Sequence, residues 1–307
     1  MKPFIALLLA LVLPCSAALA WSRAGHMVSA AIAYNELSAQ DQRIIERIVA
    51  LAEKHPDRAA FEVAVGGTRG EQRSYRIFLQ LARWPDDARG GIHDHPTWHY
   101  WSRPFIDESS PPEKTPQDVP QGSAYEAFAL NLSVASDSRA STGERALALS
   151  WIFHLIGDIH QPLHAVSQVS KRFPEGDRGG SLQFLLDPID REPRSLHWYW
   201  DNRASRDGEP ELVMKNAADL MRRVPRSQLR LQPFKSATEF SEWAQESYRL
   251  GSAVAYGPDL RASDTKSTAP EASQSYLDES LEVAEQRLTL AGYRLAEVLR
   301  WTFDNDR

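Results

Sequence analysis

Apolar residues recur along most of this chain at spacings of three and four, the mark of helices with one buried face. Residues from about Gly25 to Leu37 carry such a face. Ser38 and Asp41 have the spacing of a capping box, which would open a second helix reaching about Ala52. Ser141 and Glu144 repeat that spacing ahead of a run through Leu147, Trp151 and Leu155. The longest pattern, about Gln274 to Asp304, repeats Leu277, Leu281, Ala284, Leu288, Ala291, Leu295 and Val298. At a rise of about 1.5 Å per residue it predicts a helix roughly 45 Å long, able to cross a whole domain. Strand patterns are few. Ser181 to Leu186, a Pro/Asp-rich turn and Arg194 to Leu196 predict one small hairpin. The Pro- and Ser-rich stretches Ser109 to Gln121 and Gly257 to Ser273 read as surface loops, because neither separates independent sets of elements. The expected fold is mainly α, a single helical domain with a small β-hairpin.

The first 20 residues stand outside this pattern. Lys2, an apolar run from Phe4 to Leu13 and the small-x-small triplet Ala18-Leu19-Ala20 have the form of a signal peptide cleaved before Trp21. The apolar run is too short to span a bilayer as a permanent helix. The one cysteine, Cys15, lies inside this segment. A lipoprotein reading would make Cys15 the first mature residue and leave Trp21 without a free amine, but Leu13-Pro14 is a poor approach to such a site. Cleavage after Ala20 leaves 287 of the 307 residues, without cysteine, and loss of Lys2 takes the net charge from −6 to −7. An exported chain without disulfides depends on core packing or metal. The acidic balance argues against a protein that coats nucleic acid with a basic face, while leaving room for an enzyme whose metals supply positive charge locally.

The nine histidines are informative by their placement. His154, Asp158 and His164 lie in HLIGDIHQPLH. Residues four apart on a helix are about 40° apart around its axis and about 6 Å apart along it, so His154 and Asp158 reach one point in space. Gly157 removes bulk beside them, and Pro162 ends or kinks the helix so that His164 is re-aimed. His197 and Asp201, in SLHWYWD, repeat the spacing. Such a pair also suits a surface ion pair, but two of them in one exported, cysteine-free chain point to a metal site. Nitrogen and oxygen donors without sulfur suit zinc acting as a Lewis acid. His160 is given a role at the helix end or behind the ligands. His93 and His95 read as solvated loop residues, and His55, in a polar turn, is assigned nothing.

Trp21 would be the first mature residue, followed by Ser22-Arg23-Ala24-Gly25-His26. An α-amino group has a pKa near 7.7–8.0, so a metal displaces its proton at modest cost. Amine and carbonyl of Trp21 would close a chelate ring on one ion, with His26 arriving from the first helix; alternatively Trp21 is an apolar anchor for the chain end.

Together these segments resemble the S1/P1 nuclease family of trizinc, single-strand-specific nucleases and nucleotidases. The matching segments are WSRAGH at Trp21, WPDDAR at Trp84 to Arg89, WHY at Trp98 to Tyr100, HLIGDIHQPLH, GDRGGS at Gly176 to Ser181, and SLHWYWD. They occur in family order and imply a zinc-dependent nuclease domain over residues 21–307. The resemblance implies three Zn2+ per chain. Asp86, His99, His154 and Asp158 would hold one; Trp21, His26 and the bridging Asp158 a second; His164, His197 and Asp201 the third. It further implies that Asp86 orients or deprotonates the attacking water, and that Arg89 contacts the phosphoryl oxygens in the transition state. Tyr100 matches the position that stacks a base, which Trp98 and Trp101 could extend, and Ser181 stands where the family commonly has an Asn near substrate. Pro85 replaces the usual Ala before Asp86.

The implied activity is hydrolysis of phosphodiester bonds in RNA and single-stranded DNA to 5′-phosphate products, with 3′-nucleotidase activity. The expected partner is single-stranded nucleic acid or nucleotide, in a periplasmic or secreted enzyme with no membrane span and no obligate protein partner. Two alternatives share some features. Zinc phospholipases C have the same fold and an N-terminal tryptophan, but place the first histidine further along than five residues. A non-enzymatic, zinc-stabilised binding protein would more naturally use cysteine and closed coordination.

Overall fold

The computed structural model describes residues 21–229 and 231–304, so the expected signal peptide and Cys15 lie outside the described residues. In chain order the helices are α1 (Arg23–Ser38), α2 (Gln42–Ala52), α3 (Arg58–Val65), α4 (Gly70–Asp87), α5 (Ala124–Ser136), α6 (Thr142–His160), α7 (Leu196–Asp201), α8 (Pro210–Arg223), α9 (Glu239–Leu250) and α10 (Gln274–Asp304). The mainly helical expectation holds.

At the centre lies α6, buried at every position from Ala148 to His160 and packed by α2, α4, α5, α9 and α10. An amphipathic helix shows one apolar face; α6 is covered on all sides, so its polar residues need internal partners. Its entrance is the predicted capping box. Ser141 N–H donates to Glu144 Oε2 at 2.9 Å, and Glu144 N–H donates to Ser141 Oγ at 3.2 Å. α1 lies beside it, rich in alanine and clasped by α4, α8 and α10. The closest approach is at Gly292 of α10, where a Cβ would fall 2.5 Å from Ile32 Cβ and 2.8 Å from the Ser29 carbonyl oxygen.

The second predicted capping box does not form. Ser38 is the last residue of α1 and donates to the Asn35 carbonyl, while Asp41 stands at the N-cap of α2 with no side-chain cap bond. Its carboxylate instead accepts from Arg300 Nε at 2.7 Å, tying α2 to the far end of α10. A charged guanidinium makes a stronger bond than a neutral backbone amide.

The predicted hairpin forms as β3 (Phe184–Leu186) and β4 (Pro193–Ser195), pairing Phe184 with Ser195 and Leu186 with Pro193. Leu196, expected at the strand end, instead opens α7. A parallel pair, β1 (Arg103–Ile106) with β2 (Val166–Val169), escaped the sequence reading. Residues 109–121 carry no helix or strand, as expected. Residues 257–273 do more than cover the surface, since Ser263 bridges Phe184 and Glu271 bridges Leu186 at the hairpin's edge.

Candidate metal centre

Six elements deliver side chains to one buried place. α6 carries His154 and Asp158 one turn apart on the same face, both fully buried. The chain then turns at Gln161, and Pro162 opens a single 3-10 turn that ends on His164. α7 brings His197 and Asp201, the first turn of α1 brings His26, the last turn of α4 brings Asp86, and a short turn over Pro96–His99 brings His99.

These residues form three groups, each with donor atoms within 4.8 Å of one another: His26, His154 and Asp158; Asp86, His99 and His154; His164, His197 and Asp201. Asp158 lies between the first two. Its Oδ1 is 3.2 Å from His26 Nε2, and its Oδ2 is 3.1 Å from His99 Nδ1 and 3.2 Å from His154 Nε2. The rings of His26 and His154 stack at 3.8 Å with 18° between their planes. Gly157 is what permits this, because a Cβ there would lie 2.6 Å from His26 Nδ1. The glycine thus makes room for the histidine of another helix.

In the third group the tautomers are fixed by backbone. His164 Nδ1 donates to the His99 carbonyl at 2.5 Å, and His197 Nδ1 donates to the Gly179 carbonyl at 2.7 Å. Both Nε2 atoms therefore carry lone pairs, and they face each other at 3.1 Å. Two lone pairs so placed repel unless a proton or a cation stands between them. Asp201 Oδ1 is 3.9 Å from His164 Nε2 and Oδ2 is 3.6 Å from His197 Nε2. Gln161 anchors the carboxylate, donating from Nε2 to Asp201 Oδ1 at 2.7 Å while its Oε1 accepts from Leu163 N–H at 2.6 Å.

The donor set fits metal ions on this structure's own terms. His26 Nδ1 and Nε2, His99 Nε2, Asp86 Oδ2, Asp158 Oδ1 and Asp201 Oδ2 are buried without a hydrogen-bond partner. Buried polar atoms are normally satisfied, so a concentration of orphans in one place calls for a ligand. The titration behaviour agrees. Burial, opposed by the Gln161 amide and by Arg89, pushes the Asp201 carboxyl far above its ordinary range, and the Asp158 and Asp86 charges add to it. Burial, with His154 beside it, pushes the His26 imidazole down to about 4. Burial alone would raise Asp158 as well, but His154, with the imidazoles of His26 and His99 close beside it, holds it well below its ordinary value.

Trp21 is fully buried, and Ser22 N–H donates to the Asp201 carbonyl at 3.0 Å, which ties the chain after Trp21 to the end of α7. Arg89 grips Asp86 Oδ1 through Nε at 3.0 Å and Nη2 at 2.8 Å. Tyr100 is half-buried next to His99; Gly122 lies so close beneath it that a Cβ would fall 2.6 Å from its ring. Trp98 is covered by His95, stacked at 3.9 Å, and by the edge of Trp151, and Trp101 lies against Tyr125, so both tryptophans are tied to the core. Ser181 has a buried hydroxyl without a partner.

One histidine reading needs correction, and one histidine without an assigned role has a place in the core. His55 lies in the expected turn but is buried: its Nδ1 accepts from Asp57 N–H at 3.1 Å, and its ring packs on Phe61 and Trp84. His95 is a half-buried stacking partner of Trp98 rather than a free loop residue. His160 takes the helix-end role, donating from Nδ1 to the Ile156 carbonyl and accepting from Arg294 at Nε2. Asp177 has no role that a sequence pattern assigns. This buried carboxylate accepts from Gln168 N–H, Ser167 Oγ, Gln183 Nε2 and Tyr256 Oη, and so holds the Gly179–Gly180 turn that orients His197. Its only sequence signal was its place in GDRGGS.

A helical shell thus encloses three groups of buried histidine and aspartate that could hold metal ions. The S1/P1 nuclease family model matches residues 21–304, and the chain belongs to that family. A relative, Endonuclease 1 of Arabidopsis thaliana, is 24% identical over 309 aligned residues, covering 93% of this chain and 88% of its own length.

Proposed function

We propose that this protein is an exported, zinc-dependent endonuclease that hydrolyses RNA and single-stranded DNA to 5′-phosphate products and removes 3′-phosphates from nucleotides. The observation that supports the metal reading is the gathering of buried donor atoms without a hydrogen-bond partner, among them His26 Nδ1, Asp86 Oδ2, His99 Nε2 and Asp201 Oδ2, within three groups of histidine and aspartate. Membership of a nuclease family, and likeness to a protein named as an endonuclease, support the nucleic-acid substrate over a phospholipid. They also count against the zinc-stabilised binding protein.

His26, Asp158 and the freed amine and carbonyl of Trp21 would hold one zinc; Asp86, His99, His154 and Asp158 a second; His164, His197 and Asp201 the third. When bound, zinc supplies Lewis-acid stabilisation of phosphoryl charge and acidifies water. The chain does the rest. Asp86 takes up or orients the proton of the attacking water, and Arg89, already aligned on Asp86, presents its remaining N–H donors to the phosphoryl oxygens as their charge grows. Tyr100 offers a ring face on which any base can stack, which favours single strands. Ser181 offers a hydroxyl where a substrate contact is expected. Local positive charge from the ions would let a mature chain of net charge −7 attract a polyanion. No described helix is long and apolar enough to cross a membrane.

The test is hydrolysis of denatured DNA, RNA, a 3′-mononucleotide and phosphatidylcholine by the naturally processed protein, before and after chelation. The expected result is nuclease and 3′-nucleotidase activity that a chelator abolishes and zinc restores. Hydrolysis of the phospholipid alone, or of none of the four, would overturn the reading.

A further inference from the structure

α7 carries three aromatic residues in a row, and two of them are spent in the core. Tyr199 Oη bonds Ser280 Oγ at 2.7 Å, and Trp200 Nε1 donates to Tyr276 Oη at 2.9 Å. Trp198 is different: it is half-buried and forms a wall of a cleft of about 560 Å3 that opens beside Asp86. Arg23, Met27, Arg83 and Asn202 also line this cleft, whereas Tyr100 and Ser181 are not among its lining residues. It is therefore a surface separate from the stacking position beside His99, continuous with the same metal centre.

Trp198 is fixed in place. Arg194 lies 4.6 Å and Arg206 5.3 Å from its ring, and Arg206 is itself held by Asp187 through Nη1 at 2.7 Å and Nη2 at 2.5 Å. A wall that is rigid before binding loses little freedom when a ligand arrives. On the α1–α4 side, Arg23 Nε lies 3.1 Å from Asp87 Oδ1, and Arg83 holds the same carboxylate through Nε at 2.9 Å and Nη2 at 3.2 Å. Two guanidinium groups share one carboxylate, which leaves positive charge on that wall. Glu209 also lines the cleft, as an exposed carboxylate that water screens.

We propose that this cleft receives one nucleotide of the substrate strand next to the scissile phosphate, with Trp198 and Met27 against its base or sugar and the Arg23–Arg83 pair against its phosphate. The inference rests on the nuclease reading above. Its volume is within the range of small-molecule sites, and its apolar wall and shared cations match the two halves of a nucleotide. Substrates that extend beyond a single phosphodiester are then favoured by contacts made outside the metal centre.

The test uses the processed, zinc-loaded protein and its Trp198→Ala and Arg23→Ala variants. Two quantities are read. One is the ratio of kcat/KM on a single-stranded oligothymidylate to that on bis(4-nitrophenyl) phosphate, a diester with no nucleotide. The other is Kd for a labelled phosphorothioate oligothymidylate, measured by fluorescence anisotropy. Trp198→Ala is expected to lower the ratio and weaken binding by about tenfold or more. Arg23→Ala is expected to weaken binding by about threefold and to flatten its salt dependence. Arg23 has a 60% exposed side chain, so this variant keeps the test decisive should Trp198→Ala not fold. Both quantities unmoved in the folded variants would overturn the cleft's role. A wild-type protein that hydrolyses neither substrate would overturn the nuclease reading itself.

Discussion

Gly157 of α6 and His26 of α1 meet so closely that a Cβ at position 157 would lie 2.6 Å from His26 Nδ1. Real Cβ atoms do not sit at that distance, so any side chain at 157 moves the imidazole off its stack with His154. Gly157→Ala is expected to keep the fold, since alanine favours the helix by about 1 kcal/mol over glycine. It should nevertheless lower activity by about 10–100-fold through a displaced ligand. Metal analysis beside far-ultraviolet circular dichroism checks this. Full activity and unchanged metal content would mean that His26 holds no ion.

Arg89 is expected to act on the substrate rather than on the fold. Arg89→Ala should lower kcat by about 10²–10³ while zinc content stays constant. Arg89→Lys should recover only a fraction, because an ammonium cannot reproduce the two-pronged grip on Asp86. Loss of zinc in step with loss of activity would instead make Arg89 a clamp for Asp86.

His55 predicts a pH dependence of stability. Burial holds its imidazole down at about 4, against an ordinary value of 6.5. The unfolded chain then binds a proton that the folded chain refuses, so stability is whole above about pH 6.5 and falls as pH drops from there towards 4. By pH 5 the loss amounts to roughly 2 kcal/mol. His55→Asn should remove that part of the decline, though it starts from a lower stability because the contacts with Phe61 and Trp84 shrink. Denaturant midpoints at pH 7 and pH 5 for both proteins decide it; equal declines would contradict the assignment.

Asp177 is expected to matter through what it holds. Asp177→Ala leaves the Gln168 amide and the Tyr256 hydroxyl without this acceptor, and Gln183 Nε2 with only Gln168 Oε1. The expected cost is about 2–4 kcal/mol. Because the turn it anchors presents the Gly179 carbonyl to His197, the third ion should also bind more weakly. Chelator titration followed by residual zinc would show one ion leaving early, and a titration identical to wild type would remove Asp177 from that role.

What was legible in the sequence was local or chemical. The α6 cap, the span of α10 and the His154–Asp158 and His197–Asp201 pairs follow from spacings within one or two turns, and the structure keeps them. Where a distant partner intervened, the reading missed. Asp41 left its cap for Arg300, and β1 and β2 pair across the whole of α5 and α6. The polar look of the His55 turn hid a ring buried between Phe61 and Trp84. Gly157 was correctly seen as relief of bulk, but the ring that needs the space comes from α1, which no local pattern in α6 discloses. The distant partners of Gln161, Asp177 and Trp198, which are Asp201, Tyr256 and Arg206, are brought in by tertiary packing.

The proposed chemistry needs a newly freed Trp21 amine to join five histidines and three aspartates around zinc. The most direct measurement is the zinc content of the naturally exported protein, taken on the same sample as its N-terminal sequence. Three tightly held zinc ions on a chain beginning Trp21-Ser22-Arg23 are predicted. A chain that begins elsewhere, or one that holds fewer than two zinc ions, would contradict it.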